Sequence, residues 1–135
     1  IRLRALDQQH SESTLPFSRR SRNHVGSIYL GTLVVHAELT MALFALSACR
    51  PPRYRVLVNR NEVDYHSKAS GTVRAVCEPD VDERAGLDRC QSLIDDRGEC
   101  WLTVRTHLEA TREPVCTARF LLTVSHRTPK ASARD

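Results

Sequence analysis

The sequence predicts an α+β fold in which one antiparallel sheet wraps around a single long helix. Three observations carry that prediction. Residues 28–48, IYLGTLVVHAELTMALFALSA, are apolar on nearly every helical side, so a helix here must be covered by something. After Pro51-Pro52 the spacing of apolar residues changes from helical to every second position. Near the end, CWLTVRTHLE and VCTARFLLTV both alternate, with TREP at 111–114 between them as a hairpin turn.

In chain order, the segment before Asn23 is polar, with IRLRAL and STLPF as short extended stretches. The long helix ends at Pro51-Pro52, which cannot donate backbone hydrogen bonds and restrict their neighbours. Tyr54, Val56 and Val58 then share one strand face, Val63 and Tyr65 a face of the next, and Val73, Ala75 and Cys77 a third. Residues 84–97 return to a helical stripe through Leu87, Cys90 and Ile94, with Gly98 placed as its stop. Of the last two strands, the first turns Leu102, Val104 and Leu108 inward, and the second Cys116, Ala118, Phe120, Leu122 and Val124. Residues 1–135 read as one domain, with 1–14 and 128–135 at its periphery.

Composition narrows the function classes. Hydrophobic residues at 41% and charged residues at 27% suit a globular core rather than a disordered chain. The net charge of +4 gathers partly in the SRRSR run at 18–22 and the PKASARD tail, where solvated arginines are the simplest reading and phosphate attraction the functional one. Aromatics are only 5% and no basic-aromatic surface motif occurs, so a nucleic-acid partner is not expected. The five cysteines form no CxxC pair and match no zinc spacing; buried, reduced thiols of a cytoplasmic protein are expected, with no metal. A membrane span at 28–48 is not expected either, because His36 and Glu38 would sit near the bilayer centre. The first residues show neither a starting Met nor a signal-peptide pattern, as in a processed or trimmed chain.

Glu38 is the conspicuous residue. A carboxylate in the most apolar segment needs a partner, a cavity or a task, since desolvating it alone costs several kcal/mol. His36 lies two positions away and points to another side of the helix, where a satisfied core histidine is the simplest reading.

The stretch NHVGSIYLGTLVVHAE, from Asn23 to Glu38, resembles the start of the central helix in hotdog-fold thioesterases of the phenylacetyl-CoA group. Those read Asn-x-x-Gly, then His-Gly-Gly, then Asp or Glu on the helix. Asn23 and Gly26 match the first element, Gly31 the second glycine of the next, and Glu38 the acid, nine positions after the place of the His. Tyr29 and Leu30 stand where those proteins have His and the first Gly, a variant that looks like the DUF4442 branch. VNRNEVDYHSKASGTVRAVCE at 58–78 is similar to that group's strand, turn and strand, so the likeness covers roughly residues 15–127.

The resemblance implies a hotdog fold, a homodimer or dimer of dimers joined edge to edge, and an acyl site between subunits. It implies hydrolysis of an acyl-CoA or related thioester, without metal or cofactor. Glu38 would be the base or nucleophile, Asn23 would position water or carbonyl, and the Gly31 backbone would bind the oxyanion. His24, Gly26, Tyr29, Leu30, His66 and Lys68 are the substrate-binding candidates, with Arg53, Arg55 and Lys68 as peripheral phosphate contacts. The alternatives are an acyl-CoA-binding hotdog protein without turnover, which Tyr29 and Leu30 favour and which needs no acid at position 38, and a purely structural dimer or subunit. The structural reading of Glu38 is a buried carboxylate satisfied by a Ser, Thr, Arg or Tyr across a subunit interface.

Overall fold

A computed structural model describes residues 1–49, 54–93 and 97–126. The elements are β1 (Arg2–Leu6), β2 (Ser11–Leu15), α1 (Leu30–Ala48), β3 (Tyr54–Tyr65), β4 (Val73–Cys77), α2 (Val81–Ser92), β5 (Arg97–Leu108) and β6 (Pro114–His126). The strands form one antiparallel sheet in the order β1-β2-β4-β5-β6-β3. This is the expected α+β arrangement. Pro51-Pro52, Arg53, Ile94 and residues 128–135 lie outside the described residues.

The inward row of β6 is as expected: Cys116, Ala118, Phe120, Leu122 and Val124 are all buried. From Ala118 onward it meets Leu102 and Val104 of β5, Ala75 and Cys77 of β4, and Ala37, Met41, Phe44 and Ala45 of α1 in one core. A smaller cluster joins Leu15, Ile28, Leu33, Val73, Val115 and Cys116 beneath the start of α1. The helix is long and apolar enough to cross a membrane, but in this fold it is the core helix, seated on the sheet through Leu33, His36, Ala37, Thr40, Met41, Phe44 and Ala45.

Several expectations are corrected. Residues 1–14 form β1, an exposed edge strand, and most of β2, whose Ser11 and Ser13 are buried against α1. Residues 54–65 are one strand rather than two. A register shift between Val58 and Arg60 leaves Asn59 extra, so the inward parity passes from Val56 and Val58 to Val63. The second helix runs over Val81–Ser92, earlier than 84–97, because Asp80 accepts from the Glu83 N–H (2.8 Å) while Glu83 reaches back to the Asp80 N–H (3.3 Å). Gly98 does not stop that helix. It lies inside β5 opposite Val124, and a Cβ there would stand 2.8 Å from Cys90 Sγ, so glycine lets the strand approach α2.

The wrapping is also one-sided. A single sheet reaches one face of α1, and Tyr29, Leu30, Val35, Leu39 and Leu46 remain exposed on and beside the other.

A buried polar chain fixes α1 on β2. Thr40 Oγ1 donates to the His36 carbonyl (2.8 Å), so the Ser13 hydroxyl must donate to Thr40 Oγ1 (2.7 Å). Ser13 Oγ then accepts from His36 Nε2–H (2.8 Å), which makes His36 the neutral Nε2–H tautomer. His36 is the core histidine expected, paired at Nε2 but left without a partner at Nδ1 among the described residues, and burial lowers its pKa to about 4.

Two outcomes are expected. An unfolded His36 titrates near 6.5 and the folded one near 4, so below pH 6.5 only the unfolded chain takes up this proton. Stability therefore falls as pH drops from 6.5 to about 4, by about 3 kcal/mol from this residue. Denaturant unfolding of wild type and His36→Gln across that range checks it: the wild-type advantage should shrink by that amount. Second, all five cysteines are free and buried, and burial raises Cys77 and Cys100 to about 12 and Cys49 to about 11. Thiol labelling at neutral pH should be slow in the native protein and fast once it is denatured.

Candidate functional site at the start of the central helix

The start of α1 is built by a compact turn. Asn23 Oδ1 accepts from the N–H groups of Val25 and Ser27, both at 3.1 Å, and the Asn23 N–H donates to the Ser27 carbonyl (2.7 Å). Gly26 has φ +70°, which a side chain would disfavour. The Asn-x-x-Gly spacing thus has a local meaning: Asn23 folds the turn and Gly26 allows it. Asn23 makes no hydrogen bond to Glu38, and its side-chain oxygen is already committed.

The turn delivers the chain to the helix in a held register. The Ile28 N–H donates to the Ala69 carbonyl and the Tyr29 N–H to the Ser21 carbonyl, both at 3.0 Å. The first helical bond runs from the Leu33 N–H to the Tyr29 carbonyl (3.1 Å). The amides of Leu30, Gly31 and Thr32 precede it, and Tyr29 caps the helix without a side-chain hydrogen bond. No acidic residue occupies the first turn to satisfy the positive end of the helix. A Cβ built on Gly31 would meet nothing within 4 Å, so the space over these amides is open.

Gly31, Val35, Glu38, Leu39 and Leu46 are exposed and follow one helical stripe, opposite the buried Leu33, Thr40 and Phe44. Glu38 therefore stands on the face that the chain's own sheet leaves uncovered. It has neither a hydrogen bond nor an ion pair among the described residues. Seven residues separate it from Gly31, about 10 Å along the axis, and helical side chains lean back toward the N-terminus.

The substrate-binding candidates divide. Tyr29 and Leu30 are exposed at the helix start, His24 is exposed in the turn, and Lys68 comes beside that turn, its Nζ 3.9 Å from a Cβ built on Gly26. His66 does not join them: its Nε2 pairs with Thr117 Oγ1 (2.9 Å) at the far end of β3. Arg55 is exposed on β3, away from the helix start. Leu33, Met41 and Phe44 are packed in the core. Sequence reasoning missed the Ser13 and Thr40 partners of His36, since alternating Ser-Glu-Ser-Thr carries no sign of a helix behind it. Among the described residues, no three His, Cys, Asp or Glu side chains are grouped to hold a metal.

Solved structures share this architecture. The Pseudomonas aeruginosa protein PA5026, described as a probable thioesterase, superposes with a TM-score of 0.75 at 22% identity, over 93% of this chain and 82% of that one. The Haemophilus influenzae thioesterase HI1161 gives a TM-score of 0.73 at 18% identity, over 96% and 80% of the two chains. The protein AziG of S. sahachiroi gives a TM-score of 0.72 at 14% identity, over 94% and 91% of the two chains. No curated protein matches the chain. The model of the family described as Domain of unknown function (DUF4442) matches residues 1–124, and the chain, an α+β hotdog fold like that of its thioesterase neighbours, belongs to that family.

Proposed function

We propose that this protein hydrolyses an acyl thioester of the acyl-CoA class, with Glu38 as the base. The observation that carries the reading is the pairing, on one open helix face, of a partnerless carboxylate with uncapped amides over the open space at Gly31. A thioester carbonyl develops negative charge on oxygen when water attacks. Amides at a helix N-terminus stabilise that charge, and a carboxylate accepts the water's proton. Collapse of the tetrahedral intermediate expels the thiolate, and the proton held on Glu38 is then available to it. No metal or cofactor is needed. Lys68 stands beside the Gly26 turn as a candidate for a ligand phosphate, and Tyr29 lines the mouth.

The open face also supports a homodimer. Leu30, Val35, Leu39 and Leu46 present apolar surface with nothing from their own chain over it. At the sheet edge, β3 offers 12 residues for strand pairing, whereas the opposite edge, β1, has 5 and an irregular register. A second copy joined along β3 would extend the sheet and bring its own helix toward α1. That would close the acyl site and remove Glu38 from water. The reading favours a cytoplasmic protein with neither a nucleic-acid nor a membrane partner.

Glu38→Gln keeps shape and exposure, so folding should change by no more than about 0.5 kcal/mol. Turnover of an acyl-CoA panel should fall about 10²–10⁴-fold. Wild-type rates in the variant would overturn the assignment, and binding without turnover in the parent protein would favour the acyl-CoA-binding alternative. Sedimentation or light scattering at micromolar concentration should give twice the chain mass; a monomer would remove the shared site.

A further inference from the structure

At its turn end, the β5–β6 hairpin lines a cavity of about 540 Å³. Arg105, His107, Arg112, Thr117 and His66 line its walls, with Pro114 at the rim. Its floor is rigid: the Cys116 N–H donates to Thr106 Oγ1 (2.9 Å), and Thr106 Oγ1 donates to the Cys116 carbonyl (3.1 Å).

The charge around it is one-sided. Neither Arg105 nor Arg112 forms an ion pair among the described residues. The neighbouring arginine, Arg74, is neutralised by Glu12 (2.7 Å) and Glu109 (3.2 Å), which also occupies the Glu109 carboxylate. Asp64 is opposite Thr117 on β3, beyond the lining, and Glu113 is exposed in the turn. Burial lowers the His107 pKa and the Arg112 and Arg74 guanidiniums press the same way, while Glu12 and Glu109, the carboxylates that hold Arg74, act less strongly in the opposite direction. Cations thus converge here without a counter-charge inside the cavity.

Arg112 adds a second observation. It is the one non-glycine among the described residues with positive φ, at 63°. Glycine or asparagine would sit there more easily. The chain keeps a long cationic side chain where the turn favours none, and that side chain lines the cavity.

We propose that this cavity binds a phosphoryl oxyanion, as free phosphate or as a phosphate monoester, held by Arg105 and Arg112 with His66 and His107 as further donors. Two planar guanidinium forks and two imidazoles from separate segments suit a tetrahedral anion with several acceptor oxygens better than a carboxylate with two. The site stands on its own residues, at the turn end of the β5–β6 hairpin.

Calorimetric titration of the folded chain at low salt with inorganic phosphate, phenyl phosphate and benzoate tests it. Both phosphates should bind, and Arg105→Gln or Arg112→Gly should each weaken them about tenfold or more. Arg112→Gly should leave the melting temperature unchanged or raise it, which separates ligand binding from a structural role. Tighter binding of phenyl phosphate assigns an ester, and equal binding assigns the free ion. Absence of binding by both phosphates, benzoate binding as tightly as phenyl phosphate, or wild-type affinity in both variants would overturn the proposal.

Discussion

The rest of the structure depends on a mismatch between one helix and the sheet that holds it. Helix α1 is apolar on nearly every side, but a sheet from the same chain can cover only the side it curls around. On the covered side Leu33, Met41 and Phe44 are at most 1% exposed, and each fully buried side chain of that size contributes about 1.5–3 kcal/mol. On the open side Val35 and Leu46 are 57% and 60% exposed, so comparable surface still faces water. Glu38 belongs to that second face. Its place in an apolar segment is therefore tolerated by the single chain, and any constraint on it comes from what covers the face.

The covered side is located as well as stabilised. Apolar packing alone would allow α1 to slide or rotate, since most of its faces are similar. The Ser13, His36 and Thr40 chain removes that freedom, because a displacement would strand buried hydroxyls and an imidazole. With Ser11 donating to the Thr40 carbonyl (2.6 Å), β2 ties the middle of the helix to the sheet. That tie turns Gly31 and Glu38 outward together. A few polar atoms on an early strand thus decide which surface of an apolar helix can become a site.

Irregularities in the strands do comparable work at the periphery. The extra residue at Asn59 switches the inward parity of β3, so that one strand serves the main core and then Val63. At the hairpin end, Thr106 pairs with Cys116 and His107 with Pro114, which leaves Val115 unopposed and buried. The Val115 carbonyl then accepts the His66 N–H (2.8 Å), bringing the end of β3 beside the hairpin. Such bulges re-aim side chains, and here they gather His66, His107 and Arg112 around a cavity that regular pairing would not form.

Much of this was legible in the residues. Local periodicity sufficed for the strand faces of β4, β5 and β6 and for the long helix, since a two-residue or helical repeat needs only neighbours in the chain. The amides before Leu33 and the seven-position spacing of Gly31 and Glu38 follow from helix geometry, whereas Asn23 and Gly26 stood out only through the family resemblance, which gave Asn23 another task. Asp80 and Glu83 carry the spacing of a capping box in the sequence as well, whereas the apolar stripe through Leu87 and Cys90 alone places the helix later. Other features had no local signature. An evenly apolar helix does not announce which side its sheet will take, and Gly98 looks like a helix stop until Cys90 is seen packed against it. Ser13 meets His36 across 23 positions, and His66 meets Thr117 across 51. Sequence patterns determined which segments fold and which face of each strand is buried. The choice of helix face, the polar tie beneath it and the cationic cavity at the hairpin's turn end are set by contacts between distant segments, and only the tertiary structure decided them.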